Sequence, residues 1–255
     1  MPEGDAVLRT AHRLDRALSG QLLARTDFRV PQLATVDLGG QRVESTSTRG
    51  KHLLTRIGSD WTLHTHLKME GSWAILRPRQ RWPKAAHLAR VVLETDTTHA
   101  VGFQLGVVEL IPRAEEAAAF AYLGPDLLGP DWDEKEAARR LSDHQDQPIF
   151  DALRDQRNLA GLGTMWAAEV CFTMGVHPTT VVAEVPDLTR MLRVARLKLD
   201  QAVTRRPPVN AVYGRSRAQC PRCAGPVRRI EMGGPDRLRP AYFCPSCQPE
   251  RSGSR

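Results

Sequence analysis

In the first twenty residues, Val7, Ala11, Leu14 and Leu18 recur at intervals of three and four between polar neighbours, and Gly20 closes the run. That spacing predicts one amphipathic helix that anchors the N-terminus onto a core. From about residue 22 to 112 the period falls to two. "HLLTRI", "SWAIL", "ARVVLE" and "AVGFQLGVVELI" read as short strands broken by Gly, Ser, Asp or Pro. "WTLHTHLKM" alternates most regularly: Trp61, Leu63, Thr65, Leu67 and Met69 share one predicted face, with Thr62, His64, His66 and Lys68 on the other. On that pattern His64 and His66 are expected in solvent rather than on a metal. The whole stretch predicts a β-sandwich or barrel.

Residues 113–135 combine a short helical patch with repeated Gly-Pro and read as an interdomain connection. Helical spacing returns in "DEKEAARRLSD", "PIFDALRDQ", "TMWAAEVCFTMG" and "DLTRMLRVARLKLDQAVTRR", the last with Asp187 as N-cap. A glycine-rich turn, "NLAGLGT", separates the middle pair, and "RRPPVNAVYGRSR" leads to a final segment rich in Cys and Arg. The chain is therefore expected to be α+β and multidomain. Residues 1–113 form the N-terminal β-sandwich, 114–135 a linker, 136–210 a helical domain, 215–250 a finger and 251–255 a tail.

Charged residues at 25% and apolar residues at 41% describe an ordinary globular protein. Glu3 and Asp5 stand where a secretory signal would carry positive charge, and no apolar run approaches the length of a membrane span. A cytoplasmic protein with no membrane partner is expected. Residues 205–255 hold eleven Arg, no Lys and three acids, a net charge of +8; with +7 overall, the other 204 residues sum to −1. Clustered cations of this kind fit a polyanion, since phosphate binding releases counterions.

Four of the five cysteines lie in the same segment, as Cys220-Pro-Arg-Cys223 and Cys244-Pro-Ser-Cys247. Two C-x2-C knuckles separated by twenty residues suit tetrahedral thiolate coordination of one structural zinc ion, leaving no open catalytic position. Two disulfides match the count but not a reducing compartment. Cys171, inside "AAEVCFTMGV", reads as a small buried hydrophobe.

"LAGLG" ahead of a helix offers backbone N–H groups at a positive dipole end, a natural phosphate clamp. Removal of Met1 would leave Pro2 with a secondary amine beside the Glu3 carboxyl, a potential nucleophile. Taken together, "MPEG", "RGKHLL" at 49–54, "LAGLG" and the four-cysteine ribbon closely resemble the formamidopyrimidine-DNA glycosylase/endonuclease VIII family over essentially the whole chain.

That resemblance implies a bifunctional DNA glycosylase/AP lyase of base excision repair, with residues 1–113 catalytic and 136–210 a helix–two-turns–helix domain. Its partner would be double-stranded DNA carrying oxidised bases or abasic sites, bound by a monomer. Pro2 would attack the anomeric carbon of a flipped nucleotide and form an iminium, and the strand would then break by β,δ-elimination. Glu3 would shuttle protons, needing a carboxyl whose pKa is raised by burial. Lys51 would contact phosphate beside the lesion. Met69 would wedge into the space left by the flipped base, although its place on the apolar face also suits core packing. Gly161, Gly163 and Thr164 would carry the phosphate clamp. Arg239 would grip phosphate from the finger, with Arg237 as the alternative register.

The chain also departs from the family pattern. Thr164 stands where Asn is usual, and Ala6 where Glu is common. The Arg-Arg-Phe-Gly loop of the 8-oxoguanine branch is replaced by "GFQLGVV" around Phe103–Leu105. That loss, together with "MPEG" and "VPQL", points to the endonuclease VIII branch and oxidised pyrimidines. Two alternatives stand beside it: a glycosylase for oxidised purines, and a zinc-ribbon protein that binds damaged DNA without cutting.

Overall fold

The computed structural model describes residues 2–204, 210–234 and 238–250. The chain divides into two compact units, Met1–Tyr122 and Leu123–Arg255.

The first unit opens with α1 (Gly4–Leu18) and continues through eight strands: β1 (Arg25–Phe28), β2 (Val43–Arg49), β3 (His52–Ile57), β4 (Trp61–His66), β5 (Ser72–Leu76), β6 (Ala89–Glu94), β7 (His99–Phe103) and β8 (Val107–Pro112). They form two four-stranded antiparallel sheets, in the orders β1-β6-β7-β5 and β2-β3-β4-β8. One apolar core fills the space between them, with Leu53, Leu63 and Val108 from one sheet facing Trp73, Val91 and Ala100 from the other. Val7, Ala11, Leu14 and Leu18 bury the helix stripe in the same core. Gly20 follows at φ +79, a left-handed turn that suits glycine.

The run 100–111 is two strands, not one. It breaks at Gln104, which takes φ +50, and β8 crosses to the opposite sheet. Alternation alone does not show this break, because both halves carry the same apolar period. At the turn Gly106 comes so close to Lys68 that a Cβ there would lie 2.2 Å from its Cγ. β4 also ends earlier than its alternation predicts. Lys68 takes φ +50, which turns Met69 out of the sheet and leaves it 70% exposed.

Residues after β8 pass over the outer face of β2-β3-β4. In α2 (Glu116–Ala119), Glu116 accepts from Thr62 Oγ1 at 2.5 Å and pairs with Arg56. Phe120 then packs on the rings of His52 and His64 at 5.1 and 5.0 Å. Both faces of β4 are buried as a result. The expectation that His64 and His66 lie in solvent is wrong, for they are only 6% and 7% exposed.

The second unit contains α3 (Glu134–Ser142), α4 (Ile149–Arg154), α5 (Thr164–Met174), α6 (Leu188–Thr204) and the hairpin β9 (Arg228–Met232) with β10 (Arg239–Phe243). Asp133 caps α3 and Asp187 accepts from Arg190 N at the start of α6. Helices and finger share one core: Phe150, Trp166, Met191 and Leu199 pack in the same cluster as Val227, Ala241 and Cys244. The four-cysteine finger is therefore built into the helical core. Among the described residues, no helix is long and apolar enough to cross a membrane.

Candidate functional site

Hydrogen bonds along α1 show where Pro2 and Glu3 lie. At the C-terminal end of the helix, Gly20 N donates to Val43 O, and Asp15 Oδ1 accepts from Thr46 N at 2.7 Å. Helix and strand therefore run in opposite directions. Going back from Asp15 to Gly4 covers about 16 Å of helix, and going forward from Thr46 to Gly50 covers about 13 Å of strand. The start of α1 thus lies at the β2–β3 turn that carries Lys51. Glu3 is the N-cap residue but does not cap with its side chain. Glu3 is 4% exposed and Lys51 6% exposed, while Pro2 is half-buried. Lys51 is therefore covered, although it stands beside Gly50 in a turn.

Strand register brings further turns to the same end. His52 pairs with His66 and His66 with Val107, so the turns holding Lys51, Met69 and Gln104–Gly106 share one edge of the sandwich. Two of them are tied together, since Gln104 Nε2 donates to Glu70 Oε2 at 2.9 Å and Gly106 N to His66 O. Met69 projects from this tied pair without joining the core.

Behind the edge lies a histidine cluster that alternation assigns to solvent. His64 Nδ1 is 3.1 Å from Glu109 Oε2, His64 Nε2 is 2.8 Å from His52 Nδ1, and His52 Nε2 is 3.2 Å from Tyr122 Oη. His66 stacks edge-on to His52 at 5.0 Å, and its Nδ1 accepts from Lys68 N at the turn before Met69. Burial pushes His52 down to about 3 and His66 to about 4, helped by His64, Lys51 and Lys68. His64 is lowered by burial too, against the raising effect of Glu109. The rings are neutral, and they brace the Lys51 and Met69 turns from behind.

In the second unit, Gly163 is the N-cap residue of α5 and Thr164 its first residue. Gly161 and Gly163 are buried, and Gly161 N already donates to Gln156 Oε1 at 3.1 Å. Of the three, half-buried Thr164 is the nearest to the surface. Glu169, on the same helix, is 4% exposed and accepts from Ala211 N at 3.0 Å and from Val212 N and Tyr213 N at 2.9 Å. A lone acid in an otherwise apolar helix is the sequence signal for this clamp.

Cys220, Cys223, Cys244 and Cys247 converge with all four sulfurs within 4.8 Å of one another and no disulfide. Cys220 and Cys247 are 3.9 Å apart and Cys223 and Cys244 3.4 Å. A tetrahedral metal–thiolate centre with bonds of about 2.3 Å has edges of about 3.8 Å, so the donor set fits a structural metal. Buried Gln248 braces it, its Oε1 accepting from Cys244 N and its Nε2 donating to Val176 O. Arg239 is exposed at the start of β10. Arg237 lies outside the described residues. Cys171 is fully buried, which pushes its thiol up to about 12.

A family model described as the formamidopyrimidine-DNA glycosylase N-terminal domain matches residues 1–104. The chain is 46% identical to a probable endonuclease 8 2 of Streptomyces coelicolor, covering 97% of this chain and 94% of that one. It is 43% identical to a DNA-(apurinic or apyrimidinic site) lyase Nei2 of Mycolicibacterium smegmatis, covering 97% and 99%. The fold is similar to that of Lactococcus lactis formamidopyrimidine-DNA glycosylase bound to DNA containing an AP site. There the TM-score is 0.84, with 24% identity over 97% of this chain and all of that one.

Proposed function

The chain belongs to the formamidopyrimidine-DNA glycosylase/endonuclease VIII family, and we propose that it excises oxidised bases, chiefly pyrimidines, from double-stranded DNA through a Schiff base on Pro2. The observation that carries this is the meeting of the α1 start with the Lys51 turn, where Glu3 and Lys51 are both buried. A carboxyl and an ammonium held out of water beside a secondary amine form a proton-transfer set.

In the reaction, the lone pair of the Pro2 nitrogen bonds to the sugar's anomeric carbon as the glycosidic bond to the damaged base breaks. Glu3 delivers the proton that lets the sugar ring open, leaving an iminium. That cation acidifies the neighbouring C–H: loss of one proton expels the 3′ phosphate, and loss of a second, from the carbon then conjugated with the iminium, expels the 5′ phosphate. Lys51 holds phosphate beside the lesion, Met69 fills the vacated stack, and Thr164 and Arg239 contact the backbone. The four cysteines hold one zinc ion, which shapes the hairpin that presents Arg239.

The short β7–β8 turn, in which Leu105 is buried, has no long loop to fill a gap opposite a purine lesion, and this supports the preference for pyrimidines. Borohydride added during reaction with abasic duplex should trap a covalent adduct, and mass spectrometry should place it on Pro2 of a chain lacking Met1. Normal DNA binding without an adduct would overturn the mechanism. Excision of thymine glycol in preference to 8-oxoguanine from matched duplexes tests the substrate class.

A further inference from the structure

The segment joining β5 to β6 holds an unusual collection of charge. Between Glu70 and Glu94 there are five cations (Arg77, Arg79, Arg81, Lys84 and Arg90) and no acid. Several arginines elsewhere on the surface are neutralised locally, among them Arg9, Arg29, Arg139, Arg157 and Arg193, which pair with carboxylates. Arg77, Arg79 and Arg81 are exposed, and among the described residues none of them has an ion pair.

The segment is also firmly held. Arg77 N donates to Gln80 Oε1 and Gln80 N to Arg77 O, closing a turn in which Arg79 takes φ +64. Trp82 stacks edge-on to Phe103 at 5.8 Å, with the Arg29 guanidinium over its own ring at 5.2 Å. Trp82 and Leu88 together cover the apolar cluster of Leu76, Val92, Val101 and Phe103 on the outer face of the β1-β6-β7-β5 sheet. Lys84 Nζ donates to Gln104 Oε1 at 3.1 Å and lies 3.4 Å from Glu70 O, so the strip is tied to the turn that presents Met69. Three unpaired arginines on an anchored backbone lose little freedom when an anion binds, unlike cations on a loose tail.

The register fixes the direction of the strip. β5 leaves the Met69 edge at Ser72, opposite Phe103, and reaches the far end at Leu76, opposite His99. The segment then returns across the outer face to Ala89, again opposite Phe103. Arg77, Arg79 and Arg81 therefore lie at the end of β5 about 13 Å from the Met69 edge, and Lys84 lies on the return towards that edge.

We propose that Arg77, Arg79 and Arg81 form a second phosphate-binding strip that grips the duplex flanking the lesion, apart from the residues that carry the chemistry. This rests on the proposed DNA substrate but not on the Pro2 mechanism. The strip sets affinity and footprint; the excision step lies elsewhere.

The test is the salt dependence of binding to abasic-analogue duplex, comparing the full-length protein with an Arg77→Gln/Arg79→Gln/Arg81→Gln variant. Each lost phosphate contact lowers the slope of log K against log salt by about 0.9, so the variant's slope should be shallower by about 2 to 3. Affinity at about 0.1 M salt should fall at least tenfold. An Arg77→Lys/Arg79→Lys/Arg81→Lys variant should keep the slope, and the single-turnover lyase rate at saturating enzyme should be unchanged in both. An unchanged slope in the glutamine variant overturns the strip. So does loss of binding to phosphatidylserine vesicles with DNA binding intact, which would assign the arginines to a lipid surface. Failure of borohydride trapping, with the slope difference present, would instead sink the Pro2 mechanism and leave the strip standing.

Discussion

His52 Nδ1 and His64 Nε2 share a 2.8 Å hydrogen bond between two uncharged rings. Glu109 fixes which ring donates. Its carboxylate accepts from His64 Nδ1–H, so His64 Nε2 must accept from His52 Nδ1–H, and His52 Nε2 accepts from Tyr122 Oη–H. One directed chain results, running from exposed Tyr122 to Glu109, whose side chain is 58% exposed. It passes next to the Lys51 turn and ties the end of the first unit to its sheet.

Neutral buried histidines make the fold sensitive to acid. In the folded state His52 sits at about 3 and His66 at about 4, against 6.5 for a free ring. The unfolded chain therefore binds protons that the folded one refuses, and stability is full above about pH 6.5. It falls as pH drops towards 4, by up to about 1.4 kcal/mol per pH unit for each ring. Urea unfolding at pH 7 and pH 5 should show this drop, and His52→Gln should flatten it. A wild-type stability independent of pH over that range would contradict the neutral cluster.

Glu169 gives a second expectation. Replacement by Ala leaves the N–H groups of Ala211, Val212 and Tyr213 without their acceptor, at a cost of about 3 kcal/mol or more. Glu169→Gln keeps one carbonyl oxygen but aims an amide at a donor, and should cost about 1–2 kcal/mol. Denaturant unfolding of the two variants checks the order. DNA affinity should fall with Ala, since the 210–214 loop leads into the finger.

Much of this was legible in the sequence where one period ran without interruption. The α1 stripe of Val7, Ala11, Leu14 and Leu18, the α6 stripe of Met191, Leu192, Ala195 and Leu199, and the two C-x2-C knuckles all carry their meaning in local spacing. What spacing misses is long-range cover and backbone sign. Phe120 lies 56 residues from His64, and only the returning 113–122 segment turns a polar strand face into a buried one. Left-handed residues at Lys68 and Gln104 end strands whose apolar alternation runs on past them. Lys51 shows a third limit: a lysine beside glycine in a turn reads as exposed, and it is the packing of α1 against β2 and β3 that covers that turn.

Removing the finger's metal should be felt beyond the finger. Cys220 and Cys244 share a core with Trp166 and Met191, and Gln248 ties Cys244 to Val176 after α5. Leaving the buried Cys220 and Cys244 thiols without the metal should cost several kcal/mol, since metal binding couples to folding. Chelation, or Cys244→Ser, is expected to lower the helical melting transition and weaken DNA binding together, and in the chelated wild type zinc but not magnesium should restore both. Elemental analysis should find one zinc per chain.

Met69 separates stability from function. At 70% exposure its side chain adds little to the core, so Met69→Ala should leave unfolding within about 0.5 kcal/mol of wild type. If it holds the stack open, the loss appears in the energy of flipping, a few kcal/mol for an intact nucleotide and less where no base remains. Excision of an oxidised base should then slow by about tenfold to a hundredfold, since each 1.4 kcal/mol is about a factor of ten. Cleavage at a preformed abasic site should slow much less, and Met69→Leu should restore most of the excision rate. Single-turnover measurements on both substrates give the ratio. Equal slowing on the two would place Met69 in general DNA contact instead of in the vacated stack.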